Sequence, residues 1–228
     1  MPARTTLHVV TVFLGDDDQG GNPLGVFLYA GRPPAEQRQR IAADLGFSET
    51  VFVADPATAE LTIHTPANEL PLAGHPLVGT AWLLDREGHR VSTLRPPAGE
   101  VTTWSEAGRT WFRADPDWAP EFATRQFDAP ADVDALTADD GGAAGLHAWA
   151  WEDEAAGRVR VRLFAHDLGV VEDEATGSAA MRLCAQLGRP LVIRQGVGSR
   201  IDAVPGPGGT VDIGGRVAYL ETRDYPVG

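Results

Sequence analysis

The sequence predicts a mixed α+β protein built from two similar lobes. Strand-like residues 60–66 lead into residues 71–84, where a small-residue turn runs into an apolar helix. Strand-like residues 159–164 lead in the same way to the turn and helix of residues 172–187. Around these two units lie many short β-branched runs, few helical patterns and many glycine-containing turns. Two strand–turn–helix units of one design therefore predict two lobes that face a shared cleft.

Local signals divide the first half of the chain into elements. Pro33-Pro34 fits the first turn of a helix at residues 35–45, and Gly46 ends that helix. Strands are predicted at residues 6–13, 47–53 and 60–66. Residues 22–28 are predicted to form either a strand or a short helix. A hairpin is predicted from two further strands, at residues 101–104 and 110–113.

The second half is predicted from the same signals. Residues 115–117 are the best candidate for a boundary between lobes, and a short helix is predicted near residues 131–136. Arginines alternate with apolar residues along 159–164, which predicts one buried face and one solvent-exposed face. Strands are predicted at residues 146–151, 159–164, 191–196, 200–204, 210–215 and 217–221.

Composition excludes several classes of enzyme. The chain contains no lysine, so all 19 of its basic residues are arginines. A Schiff-base enzyme, including one that anchors pyridoxal phosphate, and a Walker-A phosphate loop both need a lysine and are excluded. The single cysteine, Cys184, excludes an internal disulfide and a racemase that uses two thiols, and we expect it to pack in the core.

Charge and hydropathy limit the classes of partner that the protein is expected to bind. A net charge of −13 without a basic cluster argues against nucleic acid. No apolar run approaches the length of a membrane span, and the first residues lack the apolar core of a signal peptide. We therefore expect a cytoplasmic protein that binds a small molecule and contacts neither nucleic acid nor membrane.

Residues 172–180 are the stretch around which the chain is organised. Acidic residues including Asp173 precede Gly177 and Ser178 at the point where a helix begins. The first N–H groups of a helix have no intrahelical partner and can bind an anion. A lone Thr-Gly-Ser is more often a simple helix cap, so this stretch alone leaves both interpretations open.

Glu49 is a second candidate, at the start of the predicted strand 47–53. An acidic residue there is more commonly a solvated strand end. It can also be a buried acid/base whose pKa is raised. The residues around it do not distinguish the two interpretations.

Four stretches carry a pattern that is more specific than either candidate alone. They are GGNPLGV at residues 20–26, FSETVF at 47–52, TPANELPLAGHPLVGTA at 65–81 and EDEATGSAA at 172–180. In this order they resemble the PhzF-like family of phenazine biosynthesis, which has the diaminopimelate-epimerase-like fold. The resemblance spans nearly the whole chain.

The resemblance implies two lobes, each a central helix wrapped by a barrel-like mixed sheet, with the active site in the cleft between them. Residues 1–116 would form the N-terminal lobe, and residues 117–216 would form the C-terminal lobe. Residues 217–228 would return to the first lobe, as the chain end does in related folds. The family's habit further implies a homodimer.

The implied activity is that of a cofactor-independent isomerase, with no metal. It would move a proton by general acid/base catalysis within a small unsaturated, carboxylate-bearing, amino acid-like metabolite, in secondary-metabolite or antibiotic biosynthesis. The best-known family member converts a dihydro-hydroxyanthranilate to its keto form.

Matching the family's motifs residue by residue gives candidate roles. Glu49 stands at the proton-transferring acid, and His75 and Asp173 stand at the polar residues that hold and polarise the substrate. The substrate-binding positions are Asn22, Gly74, Gly177 and Ser178.

Two departures from the family's pattern put the substrate in question. Glu174 and His166 each stand where the family usually has a proline, and Glu174 adds a negative charge beside the site. The second lobe also looks shorter, by roughly a strand and a helix between Asp128 and Leu146. These points support an alternative, a PhzF-like protein that kept the fold as a binding or structural protein and lost the activity.

Two further alternatives have less support. A serine hydrolase using Ser178, His75 and Asp173 would lack the Gly-x-Ser-x-Gly elbow. A metal site from His64, His75 and His166 would not match the spacing of a known ligand motif.

Overall fold

The structure is a computed structural model that describes residues 3–28, 33–142, 145–166 and 169–227. Within these ranges it contains fifteen β-strands and four α-helices. The strands of the first half are β1 (Ala3–Leu14), β2 (Asn22–Phe27), β3 (Thr50–Asp55), β4 (Glu60–His64), β5 (Glu69–Leu70), β6 (Thr93–Leu94), β7 (Val101–Glu106) and β8 (Arg109–Ala114). Those of the second half are β9 (Thr124–Gln126), β10 (Leu146–Asp153), β11 (Arg158–Ala165), β12 (Val170–Asp173), β13 (Leu191–Gln195), β14 (Ser199–Pro205) and β15 (Val211–Val227). The helices are α1 (Ala35–Leu45), α2 (Gly74–Arg86), α3 (Pro130–Asp134) and α4 (Gly177–Leu187).

The strands join into one large sheet of mixed direction. Its hydrogen-bonded order is β5-β4-β3-β2-β1-β15-β14-β13-β11-β10-β9, with β12 beside β11 and with β6, β7 and β8 attached through β15. The pairs β2–β3, β9–β10 and β11–β13 are parallel. A mixed α+β class with a large sheet and few helices is thus confirmed, whereas the division into two lobes stays a prediction.

The last strand differs from its prediction. Residues 211–227 form the single strand β15 rather than two strands, at 210–215 and 217–221. Its first part pairs with β8 and β14, and the part from Arg216 onward pairs with β1. Gly214 and Gly215 lie within this strand, and the rings of Trp111 and Phe13 occupy the space where their side chains would lie. Gly228 lies outside the described residues.

Three details around the candidate site were not predicted. Strand β3 begins at Thr50, the first residue that pairs with both β2 and β4, so Glu49 precedes the strand instead of lying within it. Strand β12 was missed; it runs back along β11 and places Asp173 opposite Leu163. The prediction of a solvent-exposed arginine face on β11 was wrong, since Arg160 is buried.

That arginine face is covered by acidic partners. Arg160 Nε lies 2.6 Å from Asp134 Oδ1, and the Arg162 guanidinium contacts both carboxylate oxygens of Glu172 at 2.7 Å. Helix α3 packs on β10 and β11 beside these pairs. A charged side chain can be buried when it is paired in this way, which alternation of residue types alone does not reveal.

Helices α2 and α4 are buried in the sheet. Every residue of α2 from Gly74 to Ala81 is buried, and α2 packs against β1, β2, β7, β8 and β15. Helix α4 packs against β14 and β15, and Cys184 is buried there as predicted. Among the described residues, no helix combines the length and apolar character that crossing a bilayer requires.

The two buried helices begin at the same point and face each other. A Cβ atom added to Gly74 would lie only 2.5 Å from Cα of Gly177. A Cβ atom added to Gly177 would lie 2.8 Å from Cα of Gly74. The backbones therefore touch where both helices start, and only glycine fits at either position.

Substituting these glycines tests the contact. We expect Gly74→Ala and Gly177→Ala each to lower the free energy of unfolding by about 1–3 kcal/mol, because the added methyl group overlaps backbone that has no room to move. Urea unfolding measures this loss. Gly198→Ala is the control, since its Cβ would approach nothing closer than 3.3 Å. Equal stability of all three variants and the parent would contradict the claim that the two helix backbones are in contact at Gly74 and Gly177.

Candidate active site

The seven predicted site residues come together where α2 and α4 begin. Asn22, Glu49, His75, Asp173 and Ser178 all lie at most 7% exposed. They belong to different elements and are up to 156 positions apart in sequence (178 − 22). The remaining two residues, Gly74 and Gly177, form the helix contact described above.

Strand pairing explains how the first two residues meet. Strands β2 and β3 are parallel neighbours, with Gly25 opposite Thr50. Asn22 is the first residue of β2, and Glu49 directly precedes β3. Since parallel strands begin at the same edge of a sheet, Asn22 and Glu49 lie at one edge, beside the start of α2.

Asp173 is held by several donors. Asn22 Nδ2 donates to Asp173 Oδ1 at 2.6 Å and also lies 3.3 Å from the carbonyl oxygen of Ala175. The Thr176 hydroxyl donates to Asp173 Oδ2 at 2.5 Å. Ser48 holds Asn22 in turn, since its hydroxyl donates to Asn22 Oδ1 at 3.4 Å. Both oxygens of this buried carboxyl group are therefore hydrogen-bonded.

Ser48, Thr176 and Gln195 are residues of the site that sequence reasoning missed. Gln195 is buried at the end of β13, and its amide hydrogen-bonds to the turn that carries Asp173 and Thr176. Ser48 and Thr176 lie inside two of the matched motifs, and this position was the signal by which the sequence could have identified them as site residues. Gln195 ends an ordinary strand pattern, and nothing in the sequence distinguishes it.

Glu49 and His75 are in close contact. Glu49 Oε2 lies 3.1 Å from His75 Nδ1, and Asn22 Nδ2 lies 3.5 Å from the same nitrogen. The Glu49–His75 contact is short but is not aligned as a hydrogen bond, and Glu49 Oε2 and His75 Nε2 are buried atoms without a hydrogen-bond partner. Leaving such a buried atom unpaired costs about 1–3 kcal/mol.

Burial sets the charges of the site. Removal from water raises the pKa of Glu49 well above its usual value, and the neighbouring Asp173 charge raises it further. Burial also raises the pKa of Asp173, but hydrogen bonds from Thr176 and Asn22 oppose that rise. Burial lowers the pKa of His75 to about 3, partly opposed by the backbone carbonyl of Pro23. His75 is therefore neutral at pH 7, and its contact with Glu49 is not an ion pair.

Neither helix has a side-chain cap at its N-terminus. Ala73 precedes α2 and has no polar side chain, while Thr176 precedes α4 but gives its hydroxyl to Asp173 instead of the helix. The interpretation of Thr-Gly-Ser as a simple helix cap is therefore wrong. The uncapped N–H groups and the positive dipole ends of both helices therefore meet where α2 and α4 begin.

A narrow cavity lies against Glu49, Asp173 and Ser178, with a volume of about 340 Å³ when the space at its mouth is included, and the other four predicted residues do not line it. Its polar lining is Ser48, Glu49, Thr65, Asp173, Thr176 and Ser178, and its apolar lining includes Leu70, Phe122, Leu163 and Val170. Half of the lining residues are thus polar, and such convergence of polar groups on a cleft with apolar walls is a feature of small-molecule sites. A wider groove lies between Arg38 and Arg95, but none of the seven predicted residues lines it.

Glu174 points away from the cavity. Its Oε1 accepts hydrogen bonds from the backbone N–H of Val197 at 2.8 Å and the Ser199 hydroxyl at 3.0 Å. The Ser199 hydroxyl in turn accepts from the N–H of Gly21 at 2.7 Å. Glu174 thus fastens the 196–198 turn to the loop before Asn22, and its carboxylate is occupied there instead of facing a substrate.

The structure does not favour the two other chemistries. His75 Nε2 has no hydrogen-bond partner and Nδ1 faces Glu49 and Asn22, so His75 is not coupled to Ser178 as a serine hydrolase requires. His64 bonds instead to Arg38 and Gln39. In the described ranges, no group of three His, Cys, Asp or Glu side chains is arranged to hold a metal ion.

The fold and site define an α+β protein whose acidic site lies beside the point where two facing helix N-termini meet. The family model described as "Phenazine biosynthesis-like protein" matches residues 10–144. The chain belongs to this family, as the four sequence stretches predicted.

Known relatives agree with this assignment. The chain is 34% identical over 224 residues to the trans-2,3-dihydro-3-hydroxyanthranilate isomerase of Pseudomonas fluorescens, covering 78% of this chain and 81% of that protein. It is 34% identical over 208 residues to the protein of the same name from Pseudomonas chlororaphis, covering 74% and 75%. The crystal structure of a phenazine biosynthesis protein of the PhzF family from Enterococcus faecalis superposes with a TM-score of 0.78 at 18% identity, covering 98% and 99%.

Replacing Glu49 tests the electrostatics of the site. A carboxyl group whose folded pKa is raised stabilises the protein below its unfolded pKa, near 4.5, and that stabilisation is lost as pH rises through the folded pKa. Glu49→Gln removes the buried charge. We therefore expect it to match the parent's stability below pH 4.5 and to exceed it by on the order of 1 kcal/mol at pH 8.

Thermal unfolding between pH 4 and 8 measures this difference. The matched control is Glu121→Gln, which makes the same change at an exposed position. A constant difference between Glu49→Gln and the parent across the range would show that the charge of Glu49 does not oppose folding.

Proposed function

We propose that this protein is a cofactor-independent isomerase that moves a proton within a small unsaturated metabolite carrying a carboxylate. The observation that carries the proposal is the convergence of two uncapped helix N-termini on buried, unpaired atoms of Glu49 and His75. The isomerase class agrees with the names of the relatives that match most of the chain.

Glu49 is the proposed acid/base. Moving a proton between two carbons requires one group that both removes and returns it near neutral pH. A carboxylate at its usual pKa is a weak base that removes a proton from carbon poorly, and burial beside Asp173 corrects this by raising the pKa of Glu49. The unpaired Oε2 atom is the atom that would exchange the proton with the substrate.

The helix N-termini are the proposed carboxylate site. Free N–H groups at the starts of α2 and α4 and the Ser178 hydroxyl can hold an anion without a lysine or a metal ion. Gly74 and Gly177 allow the two backbones to approach closely enough to act on one ligand. A substrate carboxylate bound there would lie beside Glu49.

His75 and Asp173 are the proposed polarising residues. Neutral His75 can donate or accept at Nε2, which has no protein partner, and so can hold a hydroxyl or amino group of the substrate. Asp173, fixed by Asn22, keeps a negative charge beside Glu49. Glu49 and Asp173 line a narrow cavity, and the exclusion of water from it would strengthen their interactions with the substrate.

The relatives suggest the substrate and setting. We propose a cyclic dienyl amino acid such as trans-2,3-dihydro-3-hydroxyanthranilate, the substrate named for two of them, in phenazine-type secondary metabolism. Because the cavity is narrow, entry of such a ring would require the two halves of the molecule to separate slightly. Helix α2 packs on β7 and β8, which supports a first lobe ending near residue 116, with residues 217–227 returning to it. A homodimer remains part of the proposal from family habit.

Proton NMR in D2O with trans-2,3-dihydro-3-hydroxyanthranilate and related cyclic dienyl amino acids tests the activity. We expect turnover or deuterium uptake by the parent protein and a loss of at least about 100-fold in Glu49→Gln, because the variant cannot carry the proton. Glu121→Gln is the control and should keep the parent's rate.

The same experiment distinguishes the alternative of a non-catalytic binding protein. Saturable binding of these compounds without turnover or deuterium uptake would support that alternative over the isomerase. Equal rates in Glu49→Gln and the parent would remove Glu49 as the acid/base.

Removing the Ser178 hydroxyl tests the carboxylate site. A hydrogen bond to a charged group is worth about 1.5–3 kcal/mol, so Ser178→Ala should raise KM by roughly 10- to 100-fold and affect kcat less. Ser105→Ala, an exposed serine on β7, is the matched control. A large loss of kcat at unchanged KM would place Ser178 in the chemical step instead.

A further inference from the structure

Gln195 is a buried amide behind the site, out of reach of the cavity. It is 1% exposed and lies at the end of β13. Its Nε2 donates to the carbonyl oxygen of Asp173 at 2.8 Å and to the Thr176 hydroxyl at 2.9 Å. Its Oε1 accepts from the backbone N–H of Thr176 at 3.1 Å.

These bonds fix the orientation of the Gln195 amide. A backbone N–H can only donate and a backbone carbonyl can only accept. Rotating the amide by 180° would set its NH2 group against the Thr176 N–H and its oxygen against the Asp173 carbonyl. The observed orientation is thus the one that the backbone permits.

The amide orientation then sets the direction of the next hydrogen bond. Because Gln195 Nε2 donates to the Thr176 oxygen, the Thr176 proton is directed to its other close neighbour, Asp173 Oδ2, at 2.5 Å. The same reasoning applies on the other side of Asp173. Asn22 Nδ2 donates to the Ala175 carbonyl and to Asp173 Oδ1. Both Asp173 oxygens therefore face groups that act as donors.

A carboxyl group surrounded by donors is held in its charged form. The other titratable groups around Asp173 are Glu49, His75, Glu172 and Glu174, and His75 is neutral. The three glutamates each favour protonation of Asp173 when charged. Burial also favours protonation of Asp173, and the donors on both of its oxygens oppose these effects, whereas Glu49 Oε2 has no hydrogen-bond donor at all.

We infer that Gln195 is a positioning residue that, through the Thr176 hydroxyl, keeps Asp173 ionised and leaves the proton of the carboxyl pair on Glu49. Gln195 contacts no substrate, and it acts on the reaction only through Thr176 and then Asp173. It decides which of two adjacent carboxyl groups is the acid, and so which one exchanges protons with the substrate under the proposed function.

Carbon-13 NMR titration of protein labelled at its Asp and Glu carboxyl carbons tests this without any substrate. Gln195→Met keeps the length of the side chain and removes the amide, and Thr176→Val removes the hydroxyl at nearly constant shape. In both variants we expect the Glu49 midpoint to fall by about one pH unit, a tenfold change in proton affinity, and the Asp173 midpoint to rise. The Glu49 and Asp173 signals are assigned from Glu49→Gln and Asp173→Asn.

Two controls separate positioning from general damage. Thr176→Ser keeps the hydroxyl and should titrate like the parent, and Gln126→Met makes the same change on the exposed strand β9. Unchanged Glu49 and Asp173 midpoints in folded Thr176→Val would overturn the inference. If Gln195→Met does not fold, the titration of Thr176→Val alone tests the positioning role.

A second readout rests on the proposed function. With an active substrate, the limb of the kcat/KM pH profile that reports Glu49 should move to lower pH in Gln195→Met and Thr176→Val. An unmoved limb alongside unmoved NMR midpoints would refute the positioning role. If the parent turns over no substrate, the proposed function fails and the NMR titration still tests Gln195.

Discussion

The backbone contact between the starts of α2 and α4 is the constraint on which the rest of the site depends. Gly74 and Gly177 bring two helix N-termini within van der Waals distance, which no other residue type would allow at either position. Two uncapped dipole ends then act on one small volume. Such an arrangement supplies positive potential without a lysine, and the chain contains none. Both helices pack on strands of one large sheet, including β15, and this shared packing keeps their ends together.

Within that positive potential, the protein separates two neighbouring carboxyl groups by their hydrogen bonds. Asp173 has donors on both oxygens, whereas Glu49 Oε2 has none. Burial raises the pKa of each group, but the donors to Asp173 oppose the rise there. Two like groups whose surroundings push their pKa values apart are a recurring basis for acid/base catalysis. The unpaired atoms of Glu49 and His75 lower the stability of the protein, which is a common feature of functional sites.

Much of this arrangement could be predicted from the sequence. Helix α1, with its start after Pro34 and its end at Gly46, follows from local signals, and so do the hairpins β7–β8 and β10–β11. The motif resemblance identified the residues that meet at the helix starts. Other features depend on tertiary pairing that one sequence does not contain. Strand β12, the burial of Arg160 beside Asp134, and the continuity of β15 through Gly214 are of this kind. Gln195 was missed for the same reason, since its role comes from a turn 19 positions away.

Infrared spectroscopy at about pH 6 gives the most direct test of the central claim, that Glu49 holds the proton of the carboxyl pair. Exposed Asp and Glu side chains are ionised at that pH, since their usual pKa values are near 4. The account predicts a carbonyl stretch of a protonated carboxylic acid in the parent protein, sensitive to D2O and absent from Glu49→Gln. A spectrum without this band, or a band that persists in Glu49→Gln and disappears in Asp173→Asn, would contradict it.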